Sequence, residues 1–202
     1  MFWLIIFLLT PPEFIQIIKS KADQVSSYSC LIYEKIVLGD KKEERTYKYY
    51  CKKPGWVRID IIDGDNKGAT AVYNPEINRV IARKKGALSF VKLKLPPENK
   101  KVCSIRGGNI PEGTLYALLE RWSYYIDNYN VNIQEEDKEI VLVSRIGEPE
   151  KFHLIDKEML RVDKKNLFPV EIKRYHGDTL VEYIKIQDIN INPEIDLSFF
   201  KL

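Results

Sequence analysis

Apolar residues fall at positions 14, 17, 18, 22 and 25. That is helical spacing, and it predicts a helix over residues 13–27, with Pro11-Pro12 placed where a first turn tolerates proline. From residue 28 the period drops to two. Tyr28, Cys30, Ile32, Ile36 and Leu38 line one face of a strand predicted over 28–38, and Glu34 interrupts that face. Further strands are predicted over 45–52, 56–62, 69–73, 79–83 and 88–95, punctuated by Lys53-Pro54-Gly55, by the turn-forming residues 63–68 and by Asn74-Pro75. In the strand over 56–62, Val57, Ile59 and Ile61 share one face, and Arg58 and Asp60 share the other. Helical spacing returns over 112–128, where Leu115, Leu118, Leu119, Trp122 and Ile126 form one stripe. Strands are then predicted over 129–134, 139–146, 150–156, 159–163, 169–175 and 179–188.

Strands joined by short turns build an antiparallel meander. Two helices cannot cover both faces of about a dozen strands. The economical architecture is mainly β (α+β): a strongly curved antiparallel sheet, or half-barrel, with the two helices on its concave face. Composition agrees, because 25 Ile and 12 Tyr stand against 6 Ala, a balance that favours strands over helices. The length of 202 residues predicts one domain over 12–202, preceded by an apolar segment over 1–11. A net charge of +3 is too balanced to signal nucleic-acid binding.

The apolar run over 2–9 is too short to span a bilayer, which takes about 20 residues. It has the length of a secretory core but lacks a basic lead and a small-residue cleavage site. An export signal, a shallow interfacial anchor and an ordinary buried segment are its three readings. Cys30, Cys51 and Cys103 match no metal-ligand spacing. A two-residue hairpin loop at Asp40-Lys41 would set Cys30 directly opposite Cys51, within reach of a disulfide. The alternative is two half-buried thiols.

Four segments resemble the LolA-like periplasmic lipoprotein carriers. They are Val25-Ser26-Ser27-Tyr28 before an alternating strand, Lys52-Lys53-Pro54-Gly55-Trp56-Val57-Arg58, the Asp63-Gly64 and Tyr73-Asn74-Pro75 turns, and a C-terminal set of Phe168-Pro169-Val170, residues 183–188 and residues 192–199. Together they cover about residues 20–200. The resemblance implies a periplasmic or cell-envelope carrier that shields lipoprotein acyl chains, or a similar lipid, between sheet and helices. It also implies a membrane-associated release or acceptor protein, a monomeric state and no cofactor. The basic residue before the proline, an arginine lid latch in the carriers, is matched here by Lys53, with Arg58 as a second latch candidate. Lysine offers a point charge where arginine offers a planar fork.

Ile32, Val57, Ile59, Ile61, Val72, Leu118, Trp122 and Ile184 are the candidate lining of an apolar cavity, where each buried methylene is worth about 0.8 kcal/mol. The alternative is a filled core, with the protein acting as a non-enzymatic sensor or interaction module of the envelope. No catalytic residue is assigned, because His153 and His176 lie near no nucleophile signature and Gly107-Gly108 is not followed by a phosphate-loop lysine. Residues 135–137 read as a solvated acidic turn. Lysine doublets at 41–42, 52–53, 84–85, 100–101 and 164–165 read as solvated loop tips, or as a docking face for anionic headgroups.

Overall fold

The computed structural model describes residues 9–84 and 91–202. Most of the apolar N-terminal run and the first three residues of the strand expected over 88–95 therefore lie outside the described residues, as does Lys85 of one lysine doublet. Among the described residues two helices, α1 (Pro11–Asp23) and α2 (Leu115–Asn128), accompany eleven strands. In chain order these are β1 (Ser27–Leu38), β2 (Lys41–Lys52), β3 (Trp56–Gly64), β4 (Thr70–Asn74), β5 (Arg79–Arg83), β6 (Leu93–Leu95), β7 (Val131–Glu135), β8 (Glu139–Arg145), β9 (Lys157–Asp163), β10 (Pro169–His176) and β11 (Thr179–Ile191). The strands form one antiparallel sheet in the order β6-β5-β4-β3-β2-β1-β11-β10-β9-β8-β7. The mainly β class with two helices is the one the sequence predicts.

The chain divides into two compact units. One holds the N-terminal residues to Gln24 and Leu115–Tyr183, and the other holds Val25–Thr114 and Ile184–Leu202. In the first, α1 buries Phe14, Ile15, Ile18 and Ala22. The helix begins and ends earlier than the periodicity suggests, because Pro11 takes the first turn, and Ile17 is left exposed. α2 buries Leu115, Leu118, Leu119, Trp122 and Tyr125, with Tyr125 taking the buried place expected for Ile126. The strand expected over 150–156 does not form. Pro149 opens a short 3-10 helix over Pro149–Phe152, and His153 and Leu154 follow with φ of 56° and 63°, which no strand accommodates.

In the second unit, β1 and β2 meet through a two-residue loop, Gly39-Asp40, between paired Leu38 and Lys41. Gly39 supplies the positive φ of 58° that the loop needs. This loop lies one residue earlier than expected, and it corrects the cysteine geometry. Cys30 faces Tyr49 and Cys51 faces Tyr28, so the two cysteines are not directly opposed, and both thiols are free and buried. Farther along, Gly64 pairs with Arg45, where a Cβ would lie 2.2 Å from the Glu44 carbonyl oxygen, so only glycine fits.

β3 separates the unit's two faces. Val57, Ile59 and Ile61 align with Cys51, Tyr49 and Tyr47 of β2 on one face. On the other lie Trp56, Arg58 and Asp60, of which Trp56 and Arg58 meet the C-terminal segment, whose 3-10 helix Leu197–Phe200 packs Phe200 against Trp56 and Val72. Val72 pairs with Arg58, so it belongs to this covered face and not to the face of Val57, contrary to expectation. Ser26 and Ser27 donate to Asn192 Oδ1 from their backbone amides, at 2.7 and 3.4 Å, and the Ser27 hydroxyl donates to the Pro193 carbonyl. These bonds fix where the segment leaves the sheet.

Two measurements test this arrangement. Burial pushes the Cys30 thiol up to about 12, helped by nearby Cys51, and pushes Cys51 up to about 11 against an opposing Tyr28 hydrogen bond. Ellman's reagent at pH 8 should therefore titrate half-buried Cys103 first and reach the other two thiols only on unfolding. Phe200→Ala should cost about 3–5 kcal/mol in urea denaturation, the range for deleting a fully buried aromatic.

Candidate functional site

The other face of the second unit carries two cross-strand rungs. Val57, Tyr73, Val80 and Leu95 form the first, in paired register across β3, β4, β5 and β6. Val57 and Val80 in this rung are fully buried. Ile59, Ala71, Ala82 and Leu93 form the second by the same pairings. Ile59, Ala71 and Ala82 are only half-buried, and Leu93 is 44% exposed. Ile61, next along β3 on the same face, is also half-buried. The second rung runs large, small, small, large. Two alanines between an isoleucine and a leucine make a shallow apolar trough, because neighbouring strands hold side chains about 5 Å apart and an alanine fills little of that spacing.

Of the sequence-predicted lining, Ile59 and Ile61 lie on this half-buried face, and Val57 lies at its buried base. Ile32 pairs with Tyr47 on the same face, farther into the sheet, and is buried. The face turns polar beyond it, where Glu34 faces Arg45 across the ladder and accepts from its Nε at 2.7 Å. Ile184 is half-buried in β11. Leu118 and Trp122 are buried in α2 of the other unit.

Arg58 is on the far side of β3 from Val57, as expected, but it does not face water. Its guanidinium bonds Asp60 at 2.9 and 3.2 Å, donates to the Phe199 carbonyl at 2.8 Å and lies 4.3 Å from the Phe199 ring centroid. Arg58 thus fastens the C-terminal segment. Lys53 lies in the β2–β3 turn, where its backbone amide donates to the Ser26 carbonyl at 2.9 Å.

Sequence reasoning missed the most polar feature of the core. In the first unit Glu158 of β9 is 1% exposed. It accepts from Arg174 Nε at 2.9 Å, from Arg121 at 3.2 Å, from the Trp122 indole at 2.9 Å and from the Tyr125 hydroxyl at 3.4 Å. Arg174 also reaches Glu182 at 2.8 Å. Two guanidiniums and two carboxylates thus balance inside the fold, and the arrangement binds α2 to β9, β10 and β11. Trp122, expected as a plain lining residue, is part of this polar contact. Each of these residues occupies an inward position of its element, and a charged residue on an inward face was the available signal.

Burial alone would raise the Glu158 pKa. Arg121 and Arg174 overcome that effect by charge and by hydrogen bonding, and the carboxyl is held below its ordinary value. Its contribution to stability is therefore full above about pH 4.5 and disappears as pH falls through the lower folded value. Among the described residues no cluster of three or more His, Cys, Asp or Glu could hold a metal ion, and no helix is long and apolar enough to cross a membrane.

No family model matches the chain, and no curated protein matches it. Solved structures do match. An uncharacterized conserved protein from Thermus thermophilus aligns with a TM-score of 0.59 at 11% identity, over 93% of this chain and 92% of that one. Lipoprotein LppX from Mycobacterium tuberculosis aligns with a TM-score of 0.54 at 10% identity, over 93% of this chain and 99% of that one. A LolA superfamily protein from Nitrosomonas europaea also matches, with a TM-score of 0.45 at 12% identity, over 93% of this chain and 97% of that one. The likeness is one of fold alone.

The Glu158 cluster makes a direct prediction. Glu158→Ala leaves two buried guanidiniums undercompensated and should cost about 3–5 kcal/mol at pH 7 in urea denaturation. The stability gap between the wild type and Glu158→Gln should shrink below about pH 4.5 and be constant above pH 6.

Proposed function

We propose that this protein is a carrier of the cell envelope that holds the acyl chains of a lipoprotein, or of a similar lipid, on the apolar face of its second unit. The observation that carries this reading is the half-buried rung of Ile59, Ala71, Ala82 and Leu93, beside a face that the C-terminal segment seals. A protein that needed only a core would cover both faces, because apolar surface left in water forgoes about 25 cal/mol per Å². Similarity in fold to a lipoprotein and to a LolA superfamily protein supports the reading. Ile32, Val57, Ile59, Ile61 and Ile184 are the proposed contacts on this face, and Val72 is left out of the set because it packs against Phe200 on the other. An acyl chain needs no catalytic group here, since methylene burial supplies the affinity.

The test is lipid analysis of the protein purified from its native envelope, paired with titration of a fluorescent fatty acid. Ala71→Phe and Ala82→Phe should each fill the trough and weaken probe binding at least tenfold, with unchanged far-ultraviolet circular dichroism. Absence of co-purifying lipid together with absence of probe binding by the wild type would remove the carrier reading. It would leave a sensor or interaction module on the same fold.

A further inference from the structure

The small net charge of +3 conceals a segregation. Nine of the 32 basic residues but only one of the 29 acidic residues, Glu98, lie between positions 77 and 106, a net charge of +8. The remaining 23 basic and 28 acidic residues give −5. Within the basic stretch, β5 and β6 form one end of the sheet. Register sorts their side chains by face. Lys94 pairs with Ile81, so Lys94 lies with Arg83 on one side of the ribbon. Leu93 and Leu95 pair with Ala82 and Val80 on the other. Arg83, Lys84, Lys92 and Lys94 are exposed, and so are Val91, at 40%, and Leu93, at 44%. The Lys92 ammonium donates to the Leu202 carbonyl at 2.5 Å, which leaves Arg83, Lys84 and Lys94 as the outward positive charges.

From this edge we infer that the protein docks, β6 foremost, on the anionic phospholipid surface of a bilayer. A ribbon with basic side chains on one side and exposed aliphatic side chains on the other suits an interface where apolar groups enter the acyl boundary and basic groups remain among the headgroups. An acidic protein surface would satisfy the charges but would give Val91 and Leu93 no apolar phase to enter. Edge lysines also discourage strand-to-strand aggregation, but charge of either sign serves that purpose, whereas docking on an anionic surface requires positive charge. The same edge carries Leu93, the outer end of the half-buried rung. The docking surface does not depend on the carrier reading and is tested apart from it.

The experiment is flotation of the full chain with vesicles of phosphatidylcholine alone or with 30% phosphatidylglycerol. The wild type should bind the mixed vesicles and not the neutral ones, and should lose at least tenfold in affinity between 50 and 500 mM NaCl. Each basic side chain near an anionic surface is worth about fivefold in affinity. The triple variant Arg83→Glu, Lys84→Glu, Lys94→Glu should therefore bind mixed vesicles at least a hundredfold more weakly, while remaining monomeric and binding the fatty-acid probe as the wild type does. Equal binding to both vesicle types, no binding to either, or undiminished binding by the triple variant would overturn the inference. Vesicle binding without probe binding would sustain docking and remove the carrier reading, and the reverse result would remove docking alone.

Discussion

The two-residue period of β1 to β6, locked in register by the Gly39-Asp40 loop, is the constraint on which the second unit depends. A slip of one residue would exchange every side chain between faces. With the register fixed, Trp56 and Val72 meet Phe200 on one side, while Ile59, Ala71 and Ala82 fall together on the other. The C-terminal segment can cover only the face it reaches. Arg58 makes that choice firm, because its guanidinium engages Asp60 and the Phe199 carbonyl at once. The half-buried trough is thus the complement of a well-sealed opposite face.

The first unit meets a different requirement. Its helices need no ligand to bury their apolar stripes, and Glu158 adds a directional contact that apolar packing lacks. Buried ion pairs seldom add net stability over a hydrophobic replacement of equal shape, but removing one partner is costly. Five hydrogen bonds meet at Glu158 of β9 and Arg174 of β10, three of them from α2 and one from β11, so rotation or sliding of α2 would break several together. Such a contact specifies where α2 sits more strictly than Leu118 and Leu119 could do alone.

Much of this was legible along the chain. Alternation located β1, β3, β5 and β8 within a residue or two, and the stripe of α2 showed through because apolar spacing reports an element's buried side directly. Readings failed where neighbours decide the outcome. The opposed cysteines depended on a loop position, and Gly39 moved it by one residue. Val72 resembled Val57 in chemistry, and only cross-strand register separates the faces they occupy. Residues 150–156 alternate acceptably, but Pro149 imposes a 3-10 turn that composition alone did not reveal. The Glu158 cluster was missed because its members come from four elements and only the folded chain brings them together.

Charge and hydropathy also act together at the β6 end. Exposed Val91 and Leu93 are an aggregation hazard if they meet a second copy of the same edge. Positive charge at Arg83, Lys84 and Lys94 opposes that encounter, since two such edges repel. The same charge favours approach to a negative surface, where the exposed side chains gain an apolar phase without strand pairing. One arrangement therefore disfavours self-association and favours an anionic interface, and the two effects require no compromise between them. Acidic residues at the edge would have met the first requirement only. Their near absence between positions 77 and 106, in a chain whose remainder is net acidic, is the feature that edge protection by itself leaves unexplained.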